Sequence, residues 1–220
     1  MGGVSAEREK RAVAEAAADM VEDGMRIGLG TGSTVAHLLP ALARRGRSIT
    51  CVATSPRTEH AAQRLGLRVE GFEDIEHLDL AIDGADQVAP DGWLVKGGGG
   101  AHTREKLVAA AAGRFVVIVD SSKPVDTLRA PVPLELLAFG LASTLLRLEP
   151  TSRRPGRLTP DGGVLADYTG PCHDPGDLAT WLDGVPGVIG HGLFPPSMVS
   201  EILVGRGSAV ERLRLPSPPG

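Results

Sequence analysis

Four consecutive glycines stand between a lysine and a glutamate in the segment KGGGGAHTREK, which runs from Lys96 to Lys106. A structural turn needs one or two glycines, and further glycines cost conformational entropy. The run leads into a predicted helix, whose first N–H groups attract an anion. The pattern therefore favours a backbone that approaches an anionic ligand closely, beside the amine of Lys96. Glu105 falls in the first helical turn, where it either reaches over the glycine loop or simply complements the helix dipole.

A second glycine-rich turn has the sequence GLGTGST and spans Gly28 to Thr34. It follows a short apolar strand and precedes a predicted helix, so its N–H groups and hydroxyls are placed to bind a phosphate. The lysine of a P-loop does not follow at the required spacing, and Ser33 breaks the G-x-G-x-x-G pattern of dinucleotide-binding proteins. Phosphate binding without a nucleotide is one interpretation, and a structural turn with a Ser/Thr cap is the other.

Two more polar loops follow predicted strands. Asp83 and Asp86 lie three residues apart, and such carboxylates serve acid–base chemistry, bind a metal or cap a turn. The six histidines are scattered along the chain and form no recognised metal-ligand pair. Lys123 follows a nearly continuous apolar run, where its amine either contacts a phosphate or is solvated.

Alternating strands and helices connect these loops. Apolar runs predict strands at 25–29, 48–54, 78–82, 93–95 and 115–119, and helical periodicity predicts helices at 5–23, 35–45, 56–65 and 103–112. This alternation predicts an α/β fold with a largely parallel sheet. Because ligands bind beyond the carboxyl ends of the strands in such a sheet, the four loops are expected to converge at one edge.

The pattern changes past residue 128. A helical pattern covers 134–148, a stretch rich in Arg, Pro and Gly predicts a loop at 150–163, and strands at 164–168 and 188–194 flank a predicted helix at 176–182. These elements predict a second, smaller α+β unit. One more strand is predicted at 200–204. It either belongs to this second unit or returns to the first domain.

Composition disfavours several classes of protein. With 220 residues and 42% hydrophobic content, the chain can bury a core. The formal charge of −4 (23 basic and 27 acidic residues) and the 3% aromatic content argue against nucleic acid as a partner. No apolar run approaches the roughly 18 residues that span a bilayer, so no membrane partner is expected. The N-terminal residues lack the apolar core of a secretory signal, and Cys51 and Cys172 are expected to be buried free thiols of a cytoplasmic protein.

Together these segments resemble the type A ribose-5-phosphate isomerase family. Five of them carry the resemblance: GLGTGSTV at 28–35, TSPRTE at 54–59, DLAIDGAD at 79–86, the segment from Lys96 to Lys106, and VDSSK at 119–123. Weaker matches continue through 133–135, 186–188 and 192–194, so the resemblance covers nearly the whole chain.

The resemblance implies an aldose–ketose isomerase that interconverts ribose 5-phosphate and ribulose 5-phosphate through an enediolate, in the non-oxidative pentose phosphate pathway. It implies an α/β fold with a Rossmann-like catalytic domain at 1–129 and 205–220, and a small α+β lid domain at 130–204. A small-molecule sugar phosphate is the expected partner. Neither a metal nor an organic cofactor is expected. Family members are homo-oligomers, with a dimer favoured for this chain.

Roles for individual residues follow from the same resemblance. Glu105 matches the proton-abstracting base, and Asp83, Asp86 and Lys96 match the polar catalytic set. Substrate binding is implied for a larger group: Thr31, Gly32, Ser33, Thr34, Asp83, Gly84, Ala85, Asp86, Lys96, Gly97, Gly98, Gly99 and Lys123, with Lys10 as a phosphate contact. The region 150–175 departs from the family pattern. His102 stands where many members have an apolar residue. It either faces the site or lies at the surface, and the surface is the expected position.

Three other functions compete with this interpretation. Another sugar-phosphate enzyme, such as a glucosamine-6-phosphate isomerase/deaminase or a lactonase, would need motifs that this sequence lacks. A sugar-phosphate sensor of a transcriptional regulator would need a helix-turn-helix, and residues 1–24 hold only one predicted helix. A CoA transferase-like protein would need a longer chain for its second substrate.

Overall fold

The computed structural model describes residues 2–156 and 158–215. The helices are α1 (Gly2–Ala18), α2 (Ser33–Arg45), α3 (Pro56–Arg64), α4 (His102–Ala110), α5 (Leu141–Arg147) and α6 (Pro175–Asp183), with a 3₁₀ turn at Pro196–Met198. The strands are β1 (Arg26–Leu29), β2 (Thr50–Ala53), β3 (Arg68–Val69), β4 (Leu80–Asp83), β5 (Gln87–Val88), β6 (Leu94–Val95), β7 (Phe115–Val119), β8 (Val132–Leu136), β9 (Thr151–Arg153), β10 (Val164–Tyr168), β11 (Val188–His191), β12 (Leu193–Phe194), β13 (Glu201–Arg206) and β14 (Ala209–Arg214).

The chain divides into two compact units. The first comprises residues 1–85, 104–123 and 197–220, and the second comprises 86–103 and 124–196. This division follows spatial proximity. Spatial proximity alone does not test the domain boundaries predicted from the sequence, so those boundaries stay a prediction.

The first unit is built on a seven-stranded sheet with the order β14-β13-β7-β4-β1-β2-β3. All neighbouring strands pair in parallel except β13 and β14, which form an antiparallel hairpin. Every residue of β4 and β7 is buried, as expected for apolar strands covered on both faces. The predicted α/β fold with a mostly parallel sheet is confirmed.

The second unit holds two smaller antiparallel sheets. One has the strand order β11-β8-β10-β9, and the other has the order β12-β6-β5. Its core is formed by apolar side chains such as Val132, Leu134, Leu136 and Leu182, none of which is exposed. The predicted second, smaller α+β unit is therefore present.

One helix prediction was wrong. The segment 134–148 was predicted to be helical, but its first part belongs to β8, and only Leu141–Arg147 forms a helix. β8 pairs with both β10 and β11, and its alternate residues Val132, Leu134 and Leu136 are fully buried. Burial between two partner strands outweighs the weak helical periodicity of the sequence.

The C-terminal strands show to which unit the strand predicted at 200–204 belongs. β13 pairs in parallel with β7 in the first unit, so the strand predicted at 200–204 returns to the large sheet. β14, which the sequence did not predict, completes the hairpin at the edge of that sheet. Its residues are mostly exposed and three of them are charged, which discourages edge-to-edge association.

The single strand predicted at 188–194 is two strands, β11 and β12, in different sheets of the second unit. Gly192 separates them, and a Cβ there would lie 2.1 Å from the carbonyl oxygen of Lys96. Among the described residues, no helix is long and apolar enough to cross a membrane. Both cysteines are buried free thiols, as predicted, and burial raises the pKa of Cys51 to about 12.

Candidate active site

Four neighbouring parallel strands of the first unit end at the same edge of the sheet. In the order β7, β4, β1 and β2, they are followed by residues 120–123, 84–85, 30–34 and 54–58. The structure thus places the Thr31–Thr34 turn, Asp83 and Lys123 at the carboxyl edge of one sheet, which is where an open parallel sheet binds its ligands.

Asp83, the last residue of β4, is only 3% exposed. Its Oδ1 accepts hydrogen bonds from the N–H groups of Thr31 at 3.1 Å and Gly84 at 2.7 Å. A Cβ on Gly30 would lie 1.7 Å from this Oδ1. Only glycine at this position therefore lets the turn after β1 come so close to Asp83. The glycine-rich turn and the carboxylate are therefore parts of one arrangement.

A cluster of hydroxyls holds the side chain of Thr31. Its Oγ1 lies 3.0 Å from Oγ1 of Thr54, 2.7 Å from Oγ of Ser55 and 3.2 Å from Oγ1 of Thr58. The Thr58 hydroxyl also donates to the carbonyl oxygen of Gly30 at 3.0 Å. Sequence reasoning gave no role to these three partners, although a Thr-Ser-Pro-Arg-Thr run directly after a strand signals a polar helix start.

The position of Glu105 follows from close packing between α4 and β1. A Cβ on Gly28 would lie 2.2 Å from Cγ1 of Val108, so the helix approaches the strand where a side chain is missing. Glu105 precedes Val108 by three residues and therefore shares its face of the helix. It is 5% exposed.

Hydrogen bonds at the end of α4 set the direction of the helix. The N–H of Leu78 donates to the carbonyl oxygen of Ala111, and the N–H of Gly113 donates to that of Leu78. These bonds place the end of α4 beside the start of β4, so the helix runs antiparallel to the strands. Its first turn, which contains Glu105, therefore lies toward the carboxyl edge of the sheet.

The loop that carries Lys123 is tied to α1 by a buried carboxylate. Oε2 of Glu9 accepts from the N–H of Ser121 at 2.9 Å, and Oε1 accepts from the N–H of Gly207 at 3.0 Å. Hydrogen bonds from the side chain and backbone of Ser121, and then from Gly207, lower the pKa of Glu9 to about 2. No local pattern predicts this contact, because Glu9 stands among charged residues of a surface helix.

Replacing Glu9 by glutamine is expected to lower the free energy of unfolding by about 2 kcal/mol at neutral pH, because hydrogen bonds to a charged acceptor are lost. The pKa of Glu9 rises from about 2 to its usual 4.5 on unfolding, so its stabilisation is complete above pH 4.5 and disappears as the pH falls toward 2. Urea unfolding of both proteins over this range should show the difference shrinking. The exposed Glu22→Gln is the control, and equal stability at neutral pH would contradict the prediction.

Lys10 lies on α1 with its Nζ 2.8 Å from Oε1 of Glu7, one turn earlier. The other carboxylate oxygen of Glu7 lies 2.9 Å from Nε2 of His37 on α2. The side chain of Lys10 is 16% exposed, and its amine is ion-paired. A phosphate contact by Lys10 remains a prediction.

The remaining predicted residues lie in the second unit. The N–H of Asp86 donates to the carbonyl oxygen of Val95 at 2.8 Å, and Oδ2 of Asp86 accepts from the N–H of Gly98 at 2.7 Å. Asp86 is therefore held against the glycine run. Lys96 is only 2% exposed, and its Nζ lies 5.3 Å from the centre of the Phe194 ring, a cation–π distance.

His102 is fully buried, so the expectation that it lies at the surface was wrong. A Cβ on Gly97 would lie 2.6 Å from Nδ1 of His102, which shows how closely the ring packs on the loop. Gly97 also has φ of +102°, which other residues rarely adopt.

Comparison with known proteins gives two matching family models. The model described as ribose 5-phosphate isomerase A (phosphoriboisomerase A) matches residues 50–209. The model of the DeoR C terminal sensor domain matches residues 5–69, which is less than a third of the chain.

Three individual proteins extend the comparison. Ribose-5-phosphate isomerase A of Gluconobacter oxydans (strain 621H) is 43% identical, covering 96% of this chain and 98% of that protein. The crystal structure of ribose 5-phosphate isomerase A from Neisseria gonorrhoeae aligns with a TM-score of 0.90 and 30% identity, covering 96% and 98% of the two chains. A D-ribose-5-phosphate isomerase in complex with phospho-erythronic acid aligns with a TM-score of 0.90 and 33% identity, covering 95% and 99%. On these matches, the chain belongs to the ribose 5-phosphate isomerase A family.

Proposed function

We propose that this chain interconverts ribose 5-phosphate and ribulose 5-phosphate through an enediolate. The observation that carries the proposal is the 43% identity to a ribose-5-phosphate isomerase A over nearly the full length of both proteins. The related isomerase in complex with phospho-erythronic acid supports the substrate class, because that ligand carries a phosphate, hydroxyls and a carboxylate on a short carbon chain. The reaction belongs to the non-oxidative pentose phosphate pathway.

Glu105 is the proposed base. The isomerisation moves a proton between C2 and C1 of the open-chain sugar, so one group must take the proton and return it to the neighbouring carbon. A carboxylate on a helix that packs tightly on β1 has few alternative positions, which suits repeated transfer over a short distance.

Lys96 and the N–H groups of the Gly97–Gly99 run are the proposed partners of the negative charge that develops on the enediolate oxygens. A fixed amine or N–H donor stabilises such a charge more in the transition state than in the substrate, and therefore accelerates the chemical step. Asp83 and Asp86 are proposed to help open the furanose ring and to move hydroxyl protons.

The phosphate group is proposed to bind where donors are concentrated in the first unit. The Thr31–Thr34 turn leads from β1 into α2, which begins at Ser33, and Lys123 follows β7, which is separated from β1 by β4. Gly84, Ala85 and Lys10 complete the proposed substrate contacts. Binding the phosphate away from the reacting carbons supplies energy that positions C1 and C2.

We further propose a cytoplasmic homodimer that needs neither a metal nor an organic cofactor, and that has no nucleic acid or membrane partner. The dimer and the cytoplasmic location are properties expected from the family. Sedimentation of the purified protein would distinguish a dimer from a monomer or tetramer.

The activity is tested by treating purified protein with a chelator, removing the chelator and adding ribose 5-phosphate. We expect ribulose 5-phosphate to form at the same rate as in untreated protein. Product that disappears after chelation and returns with a metal would contradict the metal-free mechanism. Binding of ribose 5-phosphate without turnover would favour the sensor function that the match to residues 5–69 raises.

A further inference from the structure

The guanidinium of Arg154 joins a carboxylate to the backbone of the glycine run in the second unit. Its Nε and Nη2 donate to the two oxygens of Asp167 at 2.7 and 2.6 Å. Its Nη1 donates to the carbonyl oxygens of Gly97 at 2.9 Å and Gly98 at 3.4 Å. One side chain therefore contacts two consecutive peptide groups of the glycine run that the proposed mechanism uses.

This guanidinium is itself firmly placed. The N–H of Arg154 donates to the carbonyl oxygen of Leu165 at 2.9 Å, just beyond the pairing of β9 with β10, and Asp167 lies within β10. A bidentate pair between arginine and carboxylate is geometrically specific, because two parallel N–H groups face two oxygens. The side chains of Arg154 and Asp167 are 19% and 24% exposed, so water competes little for these bonds.

Because peptide groups are planar, the direction of each carbonyl fixes the direction of the following N–H group. In a trans peptide the N–H points opposite to the preceding carbonyl. With the carbonyls of Gly97 and Gly98 turned toward Arg154, the N–H groups of Gly98 and Gly99 point away from it. The N–H of Gly98 indeed donates to Asp86 on that opposite side, at 2.7 Å.

We propose that Arg154, anchored by Asp167, is a positioning residue that orients the glycine run, so that the N–H of Gly98 holds Asp86 and the N–H of Gly99 faces the enediolate. Four glycines leave the loop many conformations, and donors stabilise a developing charge only if they are oriented before it forms. The inference rests on the proposed isomerase function. Arg154 lies in the region 150–163, which the sequence predicted only as a loop.

The test compares Arg154→Met with the matched control Arg153→Met, whose side chain is on β9, adjacent in sequence and exposed. Wild-type protein is assayed first, because an inactive wild type would refute the proposed function rather than the role of Arg154. We expect Arg154→Met to lower kcat by about 10- to 100-fold with KM changed only a few-fold, since misplaced donors act on the transition state. Arg153→Met should keep wild-type kcat.

Inhibition constants distinguish a positioning role of Arg154 from a general contribution to the stability of the fold. The inhibition constant of phospho-erythronic acid, whose carboxylate carries negative charge as the enediolate does, should rise at least about tenfold in Arg154→Met. That of inorganic phosphate should stay within about twofold. Wild-type kcat in Arg154→Met, or an equal weakening of both inhibitors, would overturn the inference.

Two milder variants cover the case in which Arg154→Met does not fold. Asp167→Asn leaves the arginine in place but weakens its anchor, and Arg154→Lys keeps the charge but loses the planar fork. Both should lower kcat in the same selective way, by less than Arg154→Met. Wild-type kcat in both variants would equally overturn the proposed role.

Discussion

Glu105→Gln should lower kcat for ribose 5-phosphate by about 10²- to 10⁴-fold, because the amide keeps the shape of the side chain but cannot accept the C2 proton. The substrate should still bind, since the proposed phosphate contacts lie on other loops. Steady-state kinetics should therefore show a large loss of kcat with KM within a few-fold of wild type.

Proton exchange gives a more direct measurement of the same step. In heavy water the wild-type enzyme should introduce deuterium at the reacting carbons, whereas Glu105→Gln should introduce almost none. Glu105→Asp keeps a carboxylate but withdraws it by one methylene, so it should retain partial activity. Glu22→Gln is the control for the loss of one negative charge, because Glu22 is exposed and belongs to none of the loops of the proposed site.

Near-normal turnover or exchange by Glu105→Gln would contradict the assignment of Glu105 as the base. Thermal unfolding should accompany the kinetics, because Glu105 is buried and its replacement can also affect the fold. A variant that is as stable as the wild type and inactive supports the catalytic role.

Lys96→Met should cause the second-largest loss, about 10²- to 10³-fold in kcat, or about 3–4 kcal/mol of transition-state stabilisation. Methionine has nearly the length of lysine and fills the buried space beside Phe194, so the main change is the loss of the charged donor. Lys96→Arg retains the charge with a wider, planar head group, and should recover only part of the rate.

Both variants should slow proton exchange together with isomerisation, but for different reasons. Glu105→Gln removes the group that takes the proton, whereas Lys96→Met destabilises the enediolate. Arg153→Met is the control for loss of a positive charge. Unchanged kcat in Lys96→Met would exclude the amine as the partner of the developing oxyanion.

The parallel α/β sheet of the first unit could be predicted from local sequence patterns. β7 was predicted with the bounds that the structure has, because five consecutive apolar and mostly β-branched residues are typical of a short strand that is buried on both faces. The loops after β1 and β4 and the helix that carries Glu105 were also predictable. Each of these signals is contained in fewer than about a dozen neighbouring residues, as strand and turn patterns are.

Features that depend on contacts between distant residues could not be predicted from local patterns. β8 became a strand because two partner strands bury it, although its own sequence favoured a helix. Glu9 reaches Ser121, which is 112 positions away, and Arg154 reaches Gly97, which is 57 positions away. A charged side chain has the same local pattern whether it is solvated or buried against a backbone, so its partner appears only when the fold brings the two together.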